Sequence, residues 1–211
     1  METPLNVALG IGLAIAIAAG SAPPASGQPG AKADPDWPCP QIKVSDYSLA
    51  SVWAGPPLDL NSQSWRDDAD IADLVAKMSQ RRTPMADVEA AIAGLKAKAG
   101  AEAAPKLLHA FAAAFEDLSR QRSEVLAGLD RLGRKQRAMA DRIRTEIDAV
   151  RKAADQNRSA EGTSSADSQQ RLQWDMRVFE DRRQTARHVC EIPTLIEQRI
   201  GAIARAVQNA L

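Results

Sequence analysis

The chain has 211 residues, with Lys and Arg matching Asp and Glu at 27 each, and only 4% aromatic residues. Zero formal net charge argues against a nucleic-acid binder, which needs a basic face to displace counterions. The length fits one domain with a tail. Abundant Ala, Leu, Arg, Asp, Glu and Gln, without β-branched runs, predict an all-α fold.

Residues 1–33 read as a signal peptide. Val7 to Ala19 is apolar apart from glycines, and about thirteen residues suit the core of an export signal better than a membrane span. Small residues place cleavage after Gly27 or Ala33. No Lys or Arg precedes the apolar run and Glu2 is acidic, so an uncleaved N-terminal anchor is the rival reading. Cys39 follows Trp37-Pro38, which is not a lipoprotein setting. Removal of the signal is expected to leave no stable membrane span.

Residues 34–63 are rich in proline, with Pro35, Pro38, Pro40, Pro56 and Pro57. Proline removes donors and fixes φ, so this stretch predicts an extended strap. Trp37, Ile42, Val44, Tyr47, Leu49, Val52, Trp53, Leu58 and Leu60 are too apolar for a solvated tail. Ser48 to Trp53 has room for one helical turn.

The helical domain is expected over 64–211. Ser64 with Asp67 resembles a capping box, and Ile71, Leu74, Val75 and Met78 make one buried stripe. Arg81-Arg82 suits a helix C-terminus. Thr83-Pro84 opens a second short helix as cap and first residue, with Val88, Ile92, Leu95 and Ala99 on its stripe and Lys96, Lys98 and Gly100 at its end.

Pro105 opens a long helix. Its seam steps three and four through Leu108, Phe111, Phe115, Leu118, Arg122, Val125, Leu129, Leu132, Gln136, Met139, Ile143, Glu146 and Val150. A repeat averaging 3.5 residues keeps one stripe against a partner helix, as in a coiled coil. From Leu108 to Val150 it runs on the order of 65 Å at about 1.5 Å per residue. A polar tip loop spans about 157–168. A last helix follows from about Asp167 to Ala210, with the seam Leu172, Met176, Phe179, Arg183, Ala186, Cys190, Pro193, Ile196, Ile200, Ile203, Val207 and Ala210. Its rhythm slips at Pro193, where a kink is expected. The two long helices predict an antiparallel hairpin over 105–211, with Glu146 near Arg177, Leu129 near Thr194 and Gly133 opposite Cys190. The two short helices would pack at its open end near Phe111, Phe115, Ile200 and Ile203.

Cys39 and Cys190 are the two cysteines. In an exported protein an even count favours a disulfide; two separate buried thiols are the alternative. Closing some 150 residues would stabilise by roughly 4–5 kcal/mol in the chain-entropy model. Gly128 and Gly133 interrupt the facing helix at about that height. They fit either room for the Trp37–Pro40 strap or tolerated surface glycine.

No metal or cofactor site is expected. His188-Val189-Cys190 places its ligands about 200° apart on a helix, and the histidine supply is poor. No nucleophile triad, phosphate loop or paired-carboxylate motif occurs in a convincing context, so a non-enzymatic role is expected. The tryptophans Trp37, Trp53, Trp65 and Trp174 are expected to fill grooves between helices. Polar seam residues such as Arg122, Gln136, Glu146 and Arg183 either fix register or mark a seam that meets a partner. Glu146, Arg177 and Arg183 are the candidate partner-facing positions. A basic band over Arg131, Arg134, Lys135, Arg137, Arg182, Arg183 and Arg187 is interleaved with acids and reads as a solvated face.

Three stretches, Asp36-Trp37-Pro38-Cys39-Pro40, Val52-Trp53-Ala54-Gly55-Pro56-Pro57 and Val189-Cys190-Glu191-Ile192-Pro193, resemble small uncharacterised secreted helical proteins of Gram-negative bacteria. The resemblance implies a periplasmic or secreted location and no particular activity. The sequence thus leads to a periplasmic interaction or scaffold protein that presents a helical hairpin to a protein partner in the cell envelope. A holdase-type chaperone is the alternative, and a ligand or metal sensor domain comes third.

Overall fold

The computed structural model describes residues 34–156 and 163–211. The signal-peptide reading and residues 157–162 of the expected tip loop lie outside them. The described residues are all-helical, without strands. Five α-helices follow in order: α1 (Ala69–Ser79), α2 (Met85–Ala99), α3 (Ala103–Gln156), α4 (Thr163–Cys190) and α5 (Ile192–Ala210). Short 3₁₀ turns occupy Leu49–Ser51, Ser64–Asp67 and Gly100–Glu102. The single last helix expected from Asp167 is two, and the first begins earlier, at Thr163. The break falls at Glu191, with Pro193 in the first turn of α5. There the missing N–H of proline costs nothing, because first-turn donors lack helical partners anyway.

The apolar stripes of α1, α2, α5 and the first part of α3 meet in one core. Met78, Val88, Leu107, Phe111, Leu118, Ile196, Ile200, Ile203 and Val207 are fully buried there. The short helices therefore sit where the Phe111, Phe115, Ile200 and Ile203 faces await them. Trp53 stacks on Phe111 with ring centroids 4.6 Å apart, and Tyr47, Leu49, Val52, Leu58, Leu60 and Trp65 pack half-buried on the same core. Residues 34–68 thus cover the bundle without a helix longer than four residues.

Two helix-start expectations are corrected. The cap of α1 is Asp68, whose carboxylate accepts from the Asp70 and Ile71 N–H groups, while Ser64 opens only a 3₁₀ turn. The Lys106 ammonium 2.6 Å from Asp68 holds its carboxyl below the ordinary 3.8. In α2 it is Pro84, without a side-chain cap, that precedes Met85. The C-terminus of α1 is served from a distance. Arg199 on α5 donates to the carbonyls of Met78 (2.7 Å), Lys77 (2.8 Å) and Thr83 (2.9 Å), whereas Arg81 and Arg82 stay exposed. A cation at these carbonyls also opposes the negative end of the helix dipole. Gly100 ends α2 with φ +56°, a conformation that suits glycine.

Cys39 and Cys190 form a disulfide across 151 residues. The segment before Cys39 lies directly on α3. A Cβ built on Gly133 would collide with the Asp36 carbonyl and sit 3.2 Å from Pro38 Cδ. Gly133 is therefore a seat for this segment. At Gly128 a Cβ would meet only Arg131 Nη2, at 3.8 Å, so Gly128 is the tolerated one. Lys43 joins the same contact, 2.7 Å from Asp130 and 3.1 Å from Asp34.

Arg122 is buried to 3% exposure on the α3 seam. Its Nε donates to Glu197 Oε1 on α5 at 2.6 Å, and its Nη2 and Nη1 donate to the carbonyls of Val44 (2.6 Å) and Ser45 (3.3 Å). Tyr47, whose ring lies under this guanidinium, donates its hydroxyl to the Glu197 carbonyl. One cation thereby joins three parts of the chain. This is the register role, and it leaves Arg122 unavailable to a partner.

Beyond the core, α3 runs against α4 and then α5 in opposite sense. Arg142 pairs with Asp175, Arg182 lies 3.8 Å from Met139 Sδ, and Arg122 pairs with Glu197. All thirteen expected seam positions on α3 are buried or half-buried. On α4 the seam differs from expectation: Met176 is half exposed and Arg183 is exposed, while Asp175 is buried. The reason is the Arg142 guanidinium, which reaches across to Asp175 at 2.7 Å and draws that carboxylate into the interface.

Candidate functional site

Zero net charge conceals two opposite ends. Residues 131–190 carry fourteen Lys and Arg against nine Asp and Glu; residues 34–130 with 191–211 carry twelve against seventeen. The part of α3 and α4 farthest from the core is thus five charges positive, and the core-bearing part five negative. A regional count, rather than the total, is the sequence signal that reveals this.

The positive end carries an exposed tryptophan. Trp174 on α4 is 60% exposed, which corrects the expectation that it fills a groove between helices. Helical spacing sets its neighbours: Arg171 and Arg177 stand three residues to either side, and the Arg177 guanidinium lies 5.7 Å from its ring centroid. The indole is a wall between two hollows. One, of about 390 Å³, is lined by Lys135, Ala138, Met139, Arg142, Asp175, Val178 and Arg182. The other, of about 320 Å³, is lined by Asp167, Gln170, Arg171 and Arg177.

Of the expected partner-facing residues, only Arg177 lines these hollows. Arg177 is exposed beside Trp174. Glu146 is half-buried on the seam; Arg142 Nε stands 3.7 Å from one carboxylate oxygen, and the other oxygen has no hydrogen-bond partner. Arg183 points elsewhere, 3.2 Å from Glu180 on its own helix. The seam beneath is poorly satisfied: both amide atoms of Gln136 are buried without partners. Buried polar atoms left so cost about 1–3 kcal/mol each.

A second concavity, of about 690 Å³, lies between residues 60–66, α1 and α3, with Leu60, Trp65, Val75 and Phe115 as its apolar walls. Ser79 and Ser119 line it, and each has a buried hydroxyl without a partner. Among the described residues no group of three or more His, Cys, Asp or Glu side chains is placed to hold a metal ion. No helix among them is long and apolar enough to cross a membrane. No family model, no curated protein and no solved structure matches this chain.

Proposed function

We propose that this chain is a non-enzymatic interaction protein of the bacterial periplasm. Its α3–α4 pair is a coiled-coil hairpin that projects from a four-helix base toward a protein partner in the cell envelope. The observation that carries this reading is Trp174, an exposed aromatic set among cations at the end of the molecule farthest from the core. Tryptophan and arginine are the side chains enriched at the energetic centres of protein interfaces. The Cys39–Cys190 disulfide supports an oxidising compartment, as does the export reading of residues 1–33. The strap supplies rigidity: the disulfide fastens it to the end of α4, Gly133 seats it on α3, and Arg122 ties it to α3 and α5, so the arm projects from a fixed support.

The test is affinity capture of the tagged chain from periplasm, compared with a chain whose two arm helices are shortened by matched heptads with the loop retained. The shortened chain is expected to fold and to lose its specific partners. Unchanged partners and unchanged phenotype refute the arm. Intact mass of the periplasmic species is expected to lack residues 1–27 or 1–33; a mass retaining Met1 to Gly20 means an anchored protein instead. A holdase is the second reading, favoured by the apolar Trp174 amid basic surface. It predicts suppression of aggregation of an unrelated unfolded client at near-stoichiometric ratio, which a specific adaptor does not give.

A further inference from the structure

Resting on the arm reading above, we infer that the Trp174 face binds an acidic protein segment, one that places carboxylates on both sides of an apolar side chain. Lys135, Arg171, Arg177 and Arg182 border the two hollows, and among the described residues none of the four has an ion-pair partner. Arg131, Arg134, Arg151 and Lys152 on α3 also lack an ion pair among the described residues but line neither hollow. The remaining described cations of the pair are taken up. Arg142 is held by Asp175, Arg144 by Asp141, and Arg183 and Arg187 by Glu180. Four unpaired cations thus border the hollows beside the indole, and they lie on both sides of it. The surface presents positive charge, an apolar ridge and positive charge in sequence, and its complement is acid, apolar group, acid.

An acid on the same face favours a peptide over a uniform polyanion. Asp167 is exposed in the hollow of Arg171 and Arg177, whereas Asp175 in the other hollow is buried and taken up by Arg142. A nucleic-acid strand or an anionic bilayer presents negative charge at every position and would bring some of it against Asp167. A protein segment can put its acids opposite the free cations only. The hollows also hold volumes of about 390 and 320 Å³, which suit individual side chains, whereas a headgroup layer makes no use of them. Long-range attraction from an outer helix pair five charges positive speeds the encounter, and the indole supplies the short-range contact.

The test uses the full mature chain and short labelled peptides in which Glu residues flank a central Leu or Phe. Gln-for-Glu peptides, phosphatidylglycerol vesicles and a single-stranded oligonucleotide serve as comparison probes. The acidic peptide is expected to bind, to weaken as salt rises, and to lose at least about tenfold in affinity on Trp174→Ala and on Arg177→Glu. Both positions are exposed, so helicity and thermal midpoint should stay unchanged, and amide exchange on binding should slow around residues 171–182. The inference is overturned if the Gln peptides bind equally, if neither substitution matters, or if vesicles or the oligonucleotide bind more tightly with the same dependence on Trp174. It is also overturned if the chain self-associates through this face, its own negative end serving as the acid. If the acidic peptide does not bind but the shortened arm still loses its captured partners, this inference fails and the arm reading stands. If neither effect is seen, both fail.

Discussion

The two ends of this molecule are built on opposite terms. Around Leu107, Phe111, Ile200 and Ile203 four helices close on side chains that are 0–1% exposed. Along the outer α3–α4 pair two helices meet over Met139, Ile143, an unpartnered Gln136 amide and the Asp175 carboxylate. The first arrangement removes much apolar area from water. The second removes little, and keeps a tryptophan and free cations outside. Local stability follows buried contacts, so the outer pair should open more readily than the base. In this chain a four-helix core and a sparsely buried two-helix seam share a single helix, α3.

The comparison can be broken or sharpened by substitution. Phe111→Ala should have the largest effect, a loss of about 3–5 kcal/mol in unfolding free energy, from the cavity left beside Trp53 and Phe115. The same truncation at Ile143 on the outer pair should cost clearly less. Urea denaturation of both variants checks the difference, and equal losses would show that the arm belongs to the core. Next comes Arg122→Ala, with an expected loss of about 3 kcal/mol, since Glu197 and the Val44 and Ser45 carbonyls lose their donor together. Faster proteolysis near residues 44–47 should accompany it.

The two arm glycines should respond with opposite signs. Gly133→Ala drives a methyl into the Asp36 carbonyl and should cost about 1–3 kcal/mol, whereas Gly128→Ala meets only the end of Arg131 at ordinary contact distance and should gain up to about 1 kcal/mol from helix propensity. Thermal midpoints of the pair decide it. Gln136→Leu should stabilise by about 1 kcal/mol by removing an unsatisfied amide from the outer seam, and should slow amide exchange in the arm without affecting the base.

The smallest expected effect is on pH. The Asp36 N–H and Lys43 hold Asp34 below its ordinary 3.8, and Lys106 does the same for Asp68. Their contribution is therefore complete above 3.8 and disappears as pH falls through the lowered values. Lys43, beside Asp130 and Asp34, and Lys106, beside Asp68, are held above 10.5. Their contribution is complete below 10.5 and disappears as pH rises through the raised values. Urea midpoints should be flat around neutrality and fall slightly at both extremes. A midpoint that improves on acidification would contradict the pairings.

Much of this was already written along the chain. The three-and-four spacing from Leu108 to Val150 marks the buried side of α3 because a 3.5-residue repeat admits only one face. Two cysteines leave one possible intramolecular pair, and Pro193 marks where the last helix is disturbed, because its ring removes an N–H and clashes with the preceding turn; the sequence reads a kink there, and the structure makes it a break at Glu191. Other features depended on neighbours far away in sequence. Asp68 rather than Ser64 caps α1 because Lys106 on α3 stands beside it, and Arg199 from α5 reaches the end of α1, where Arg81 and Arg82 were expected to act. Periodicity cannot choose between adjacent α4 positions; the reach of Arg142 to Asp175 does, and it turns Met176 and Arg183 outward. The exposure of Trp174 was decided in the same way. Hydropathy alone places an indole inside, and only the packed pair of helices shows that no third element among the described residues is there to cover it.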